Sequence, residues 1–283
     1  DETQYLIIYP PRFEGAARSL ADMHTDSVDY DYQLNTEIVA TNNISNNITG
    51  IDLRNYLIDR IELDLKNDLN FLLLLGDEAD IPPILFNNSY PSDDFYSTPE
   101  ANSGDPQLIT GRIPVRTVEE AITVVKKIHN YIVNPTPGIW RSKVALVADD
   151  MYKSCSLDEG EGSHTSNSQE IYNTFKTLLP VIPYYGVNYN LDNCRYPDLT
   201  RDLIQTINNG VALINYIGHG DPTTWAGERF INKSRDLPLI HANDNRLAIW
   251  VAGTCSFGDY YGGNSFMEEL LIKDDGAIAI IAT

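Results

Sequence analysis

Two apolar runs in the C-terminal half of the sequence end on residues that together could perform nucleophilic catalysis. They are Val211-Ala-Leu-Ile-Asn-Tyr-Ile-Gly-His219-Gly220 and Leu247-Ala-Ile-Trp-Val-Ala-Gly-Thr-Cys255. A cysteine attacks as its thiolate, and a free thiol with a pKa of about 8.5 is mostly protonated at neutral pH, so an adjacent imidazole is the usual activator. If both runs are buried parallel strands, their carboxyl ends share one edge of a sheet, which sets His219 beside Cys255 as base and nucleophile. Gly218 and Gly220 flank the histidine and let a substrate approach the main chain closely. The N–H groups of Gly220 and Cys255 are then candidates to receive the oxyanion of a tetrahedral intermediate. The competing readings are a structural histidine and a cysteine acting as a small buried hydrophobe.

Such a juxtaposition needs a parallel sheet, and the pattern along the chain predicts one in each half. Strands are expected at Tyr5–Tyr9, 36–41, Phe71–Leu75 and 108–113, with helices between them and one at 118–132 whose first turn carries Glu119 and Glu120. Residues 82–107, rich in proline, asparagine, serine and aspartate, read as a long ordered loop. Asn134-Pro-Thr-Pro-Gly138 is the best boundary, dividing a non-catalytic subdomain 1–135 from a catalytic subdomain 136–283. The second half repeats the alternation, with strands at 143–148 and 181–185 and helices around 168–179 and 199–209, the last stopped by Gly210. A capping box, Ser265 with Glu268, opens a helix before the terminal run Ala277–Thr283, which reads as a strand in a sheet's interior. The fold class expected is α/β, with mostly parallel sheets flanked by helices.

Composition narrows the function. The 283 residues carry 40 acidic and 20 basic side chains, a net charge of −20, which disfavours nucleic acid and anionic lipid as partners. No apolar run approaches the roughly 18 to 20 residues of a membrane helix, and the start lacks the plan of a signal peptide, so the chain reads as a mature or excised soluble piece with further domains expected after it. Three cysteines allow one bridge, Cys155 to Cys194, or two unpaired loop thiols, and leave Cys255 free in either case.

The motif segments resemble the caspase-like clan of cysteine peptidases and, more finely, the gingipain family. The resemblance is carried by Tyr216-Ile-Gly-His-Gly-Asp-Pro-Thr-Thr-Trp225, Gly227-Glu-Arg229, Gly253-Thr-Cys-Ser-Phe-Gly258, 265–271 and the 276–283 end, with Leu75-Gly-Asp-Glu-Ala-Asp-Ile-Pro-Pro83, Ser92-Asp-Asp-Phe-Tyr96 and Thr110-Gly-Arg-Ile-Pro114 in the first half. Within the family, 225–229 and 254–258 are similar to the PorU-type sortases of the type IX secretion system. The resemblance implies a caspase/gingipain-like fold of two packed α/β subdomains, a Cys255–His219 dyad and an exported or cell-surface location. It also implies an acidic residue supporting the histidine, for which Asp150 is preferred over Asp149. Trp225, Glu228 and His164 are the candidate substrate-binding residues. The implied partners are cargo proteins bearing a C-terminal sorting signal, other secretion-system proteins, and a lipopolysaccharide whose amine could accept the acyl group. The stretch matching the arginine-specific pocket reads Glu159-Gly-Glu-Gly-Ser-His-Thr-Ser166 and has no aspartate, so basic specificity is not implied.

No cofactor is needed for that chemistry. Calcium as a structural ion is implied by the same resemblance, with Asp77, Asp80, Asp93 and Asp94 as candidate ligands, although Asp77 and Asp80 also suit capping roles beside Pro82-Pro83. The cysteines and histidines lack the paired short spacing of a zinc site, and Gly218-His-Gly220 lacks the lysine and length of a phosphate loop.

Overall fold

A computed structural model describes residues 3–26, 33–64, 66, 68–87, 89–99, 105–153, 155–157 and 162–283. The chain divides into two compact units, Asp1–Val133 with Tyr260–Gly262, and Asn134–Asp259 with Gly263–Thr283.

The first unit runs β1 (Tyr5–Tyr9), α1 (Glu14–Asp26), β2 (Thr36–Ala40), α2 (Thr41–Ile44), α3 (Gly50–Leu63), β3 (Phe71–Leu75), β4 (Ile84–Phe86), β5 (Tyr90–Ser92), α4 (Asp94–Ser97), β6 (Ile109–Ile113) and α5 (Val118–Val133). Its sheet is parallel throughout, in the order β2-β1-β3-β6. Leu6 and Ile8 of β1 and Leu72 and Leu74 of β3 bury against Leu53 and Leu57 of α3. Alternation sends Ile7 and Leu73 to the opposite face. Thr49 and Asp52 form a capping box that starts α3. The stretch expected as one loop contains the antiparallel β4–β5 hairpin and α4, elements of three or four residues that are too short to show periodicity.

The second unit runs β7 (Val144–Ala148), β8 (Tyr152–Lys153), β9 (Ser156–Leu157), α6 (Ser163–Phe175), β10 (Val181–Tyr185), α7 (Pro197–Asn209), β11 (Leu213–Ile217), β12 (Gly220–Asp221), β13 (Thr224–Trp225), β14 (Ile231–Asn232), α8 (Lys233–Asp236), β15 (Ala248–Gly253), α9 (Phe266–Ile272) and β16 (Ala277–Ala282). The main sheet is again parallel, in the order β10-β7-β11-β15-β16. One face, with Ala145, Val147, Ile214, Tyr216, Trp250 and Ala252, packs on Leu199, Leu203 and Ile207 of α7 and on Phe266 and Leu270 of α9. The other face, with Leu146 and Ala148, packs on Ile171 and Tyr172 of α6. Helices therefore cover both faces, as an all-parallel sheet requires. Gly210 ends α7 at a φ of 92° that favours glycine, and the Ser265–Glu268 capping box starts α9 as anticipated.

Two details depart from the sequence reading. The terminal strand β16 lies at the edge of the sheet, not in its interior, and its Ile281 is 64% exposed. An apolar run marks a strand but does not say which neighbours it has. Between the two motif strands the chain also builds a small antiparallel sheet, β12-β13-β14, which the sequence did not reveal because each strand is two residues long. Among the described residues no helix is long and apolar enough to cross a membrane.

Candidate active site

Register decides where the motif residues stand. Ala148 of β7, Ile217 of β11 and Gly253 of β15 occupy one rung of the sheet. Asp150, His219 and Cys255 each lie two residues beyond that rung, at the carboxyl ends of three adjacent parallel strands. Pairing persists one step past the strands, since the Gly218 N–H donates to the Gly253 carbonyl at 3.3 Å.

The histidine is fixed through its main chain. Its N–H donates to Asp149 Oδ2 at 2.9 Å, and its carbonyl accepts from the Tyr216 hydroxyl at 2.6 Å and from the Ala226 N–H at 2.8 Å. Gly218 is required there because a Cβ would collide with the Tyr216 hydroxyl and Asp149 Cβ. The His164 ring, on the first turn of α6, packs edge-on against the His219 ring with centroids 5.3 Å apart.

Cys255 is an exposed free thiol on a loop held from behind. Ser256 has a left-handed φ of 56°, which helps turn the chain so that Phe257 reaches the core and packs at 5.4 Å on Trp225 and 5.8 Å on Phe266. The Gly258 N–H donates to the Thr283 carbonyl at 2.8 Å, and the Thr283 hydroxyl donates to the Thr254 carbonyl. The loop is thereby tied to the end of β16 while the sulfur stays accessible. Gly220 begins β12, packed so closely on Thr254 that a Cβ would strike its Oγ1.

Beneath these residues lies a buried acidic group. Asp149, Asp150 and Glu228 are 1%, 1% and 0% exposed and bring one oxygen each within 4.8 Å of one another. Loss of water pushes the Asp149 pKa up to about 7, and the charges of Asp150 and Glu228 add to the rise against hydrogen bonds from the His219 and Asp150 N–H groups. The Asp150 carboxylate accepts from the Tyr152 N–H at 2.7 Å and from the Tyr196 hydroxyl. Glu228 accepts from the Cys155 N–H at 3.4 Å. Cys155 is bridged to Cys194, with Cα atoms 5.1 Å apart, so the bridged alternative is the one realised.

Four sequence expectations change. The carboxylate that bonds the histidine's main chain is that of Asp149, while Asp150 bonds the Tyr196 hydroxyl. Trp225 is fully buried and stacked on Tyr216 at 4.3 Å, so it is a core residue rather than a substrate contact. Glu228 is equally buried and belongs to the acidic group. His164 does stand beside His219. The calcium candidates Asp77, Asp80 and Asp93 are paired with Arg116, Arg12 and Arg112, and Asp94 is an exposed residue of α4, so this set does not fit a calcium ion. Of the stretch 159–166 that matches the specificity pocket, residues 159–161 lie outside the described residues. Tyr216 and Tyr196 were missed, and their only signal was a phenol within or beside an apolar segment.

The sequence matches the profile of Peptidase family C25 over residues 1–283. The chain belongs to peptidase family C25. A similar relative is gingipain R2 of Porphyromonas gingivalis, 25% identical over 289 residues and covering 98% of this chain. The match takes in 36% of that protein, so the chain spans about a third of the relative's length. Among solved structures, the Arg-specific cysteine proteinase gingipain R superposes with a TM-score of 0.80 at 22% identity over 100% of this chain and 63% of that one. The complex of the pro- and mature domains of Porphyromonas gingivalis RgpB gives 0.81 at 22% identity over 99% of this chain and 63% of that one. These likenesses establish the C25 fold, two α/β units with mostly parallel sheets flanked by helices.

Proposed function

We propose that this C25 chain carries the catalytic centre of an exported cysteine endopeptidase, with Cys255 as nucleophile and His219 as general base and then acid. The observation that carries the reading is the shared rung: His219 and Cys255 are each two residues past paired positions on neighbouring strands, with the thiol exposed. His219 takes the thiol proton as sulfur attacks the scissile carbonyl, and returns it to the leaving amine as the thioester forms. The Gly220 and Cys255 N–H groups are the proposed oxyanion donors. His164, packed on His219, walls the site. No metal or cofactor enters these steps. The disulfide agrees with an oxidising, secreted or cell-surface location.

The finer reading makes the enzyme a sortase of the type IX secretion system. It would cleave the C-terminal sorting signal of secreted cargo and pass the acyl group to water or to an amine of a surface lipopolysaccharide. Its support is the PorU-like form of residues 225–229 and 254–258; a gingipain-like endopeptidase using water alone is the simpler version. Iodoacetamide labelling of Cys255, with and without His219→Ala, tests the dyad. Fast labelling that slows in the variant is expected, and equal rates would remove His219 as the activator. An amine acceptor that converts the product from acid to amide separates sortase from hydrolase.

A further inference from the structure

Beside the buried acids, the second unit holds two arginines that form no ion pair with a carboxylate among the described residues. Arg195 follows Cys194, and Arg229 follows Glu228. The Cys155–Cys194 bridge and the Cys155 N–H bond to Glu228 bring these two segments together. Arg235 completes the neighbourhood by donating to the Arg229 carbonyl at 2.9 Å, and its own charge is taken by Asp236. Among the described residues, neither the Arg195 nor the Arg229 guanidinium has a hydrogen-bond or carboxylate partner.

Arg195 Nη1 is buried with no acceptor. A desolvated N–H of this kind is unfavourable until an acceptor arrives. Loss of water and the like charges of Arg229 and Arg235 hold the Arg195 pKa below its ordinary value, against the opposite charge of Glu228. The turn between β13 and β14 adds a second observation. Ala226 and Arg229 adopt left-handed φ values of 62° and 56°, and this turn sends Glu228 inward and leaves Arg229 exposed. Non-glycine residues held in that region concentrate at ligand clamps. Glu228 also links the pair to the catalytic end, since its carboxylate neighbours Asp149, which bonds His219.

We infer that Arg195 and Arg229 form a subsite for a carboxylate of the polypeptide substrate, so that the chain prefers an acidic side chain near the scissile bond. The inference rests on the peptidase reading for the identity of the ligand. Planar guanidinium forks match carboxylate geometry. The net charge of −20 opposes a polyanion and admits a single carboxylate on an otherwise neutral peptide.

The test uses Cys255→Ala protein and a labelled peptide set in which Glu replaces Gln at each position in turn, read by fluorescence anisotropy. At one position or more the Glu peptide should bind about tenfold tighter, and the gap should shrink with added salt. It should vanish in the Arg195→Gln/Arg229→Gln background, with unfolding curves confirming that the variants fold. Equal binding of Glu and Gln peptides at every position, or a gap that survives the double substitution, overturns the subsite. Because binding is read without turnover, a Glu preference in a protein whose Cys255 form cleaves nothing would refute the peptidase reading and leave the subsite standing.

Discussion

The main-chain N–H of His219 donates to the carboxylate of Asp149 at 2.9 Å across 70 positions of sequence. The bond joins the ends of β7 and β11 at the point where the histidine leaves the sheet. With the Tyr216 hydroxyl on the histidine's carbonyl, both main-chain polar groups of one residue are held by buried side chains. The imidazole is thus carried on a backbone that has little freedom to move.

Asp149 should make stability depend on pH. Its folded pKa of about 7 lies above its ordinary value of 3.8, so the folded state holds a proton that the unfolded state releases. The contribution is full below pH 3.8 and is lost as pH rises toward about 7, with a slope of at most about 1.4 kcal/mol per pH unit. Asp77, raised to about 6 chiefly by burial, acts with the same sign over a narrower window. Urea unfolding from pH 4 to 8 should show the decline in the parent and a flatter curve in Asp149→Asn. Equal slopes would mean that Asp149 ionises normally in the fold.

Tyr216→Phe removes one of two donors to the His219 carbonyl and leaves the ring stacked on Trp225. The loss should cost about 1 kcal/mol of stability. If His219 is the catalytic base, kcat for a peptide substrate should fall several-fold with KM nearly unchanged, because the phenol positions the base and touches no substrate. A change confined to KM would place Tyr216 in substrate binding instead.

Much of this was legible in the residues because parallel strands buried on both faces are short apolar runs bounded by proline or glycine. Phe71–Leu75 and Val181–Tyr185 needed no other signal. The shared rung of His219 and Cys255 followed from two such runs ending at comparable distances from their motif residues. Orientation beyond the strand ends was not legible. Asp149 and Asp150 differ by one position, both are buried and their carboxylates converge, and no pattern marks which one bonds the histidine's main chain. Trp225 sits next to the motif in sequence, yet the pairing of β12 with β13 turns it into the core. The edge position of β16 was hidden because an apolar run does not encode its neighbours.

Gly218→Ala should damage the site, because Gly218 is buried against the groups that hold the histidine. The added methyl meets the Tyr216 hydroxyl and Asp149 Cβ, both held by the bonds that anchor His219, so neither yields without breaking one. A loss of about 1–3 kcal/mol is expected. Gly263→Ala is the control, since its methyl would meet nothing within 4 Å. Thermal unfolding of the two variants measures the contrast, and equal melting temperatures would show that the 216–219 turn relaxes freely.

Reduction should loosen the acidic group from its outer side. Cys155 and Cys194 close a loop with a sequence separation of 39, for which chain entropy gives roughly 3–4 kcal/mol of stabilisation. Cys155 also presents its N–H to Glu228, so the bridge holds in place a donor to a fully buried carboxylate. The Cys155→Ser/Cys194→Ser protein should melt about 10 °C lower than the parent. Dithiothreitol should bring the parent down to the same temperature and leave the double variant unmoved. Alkylation of Cys255 should persist in both, since that thiol takes no part in the bridge. A parent whose melting temperature ignores the reductant while the double variant melts lower would assign the loss to the serine substitutions themselves, not to the cross-link.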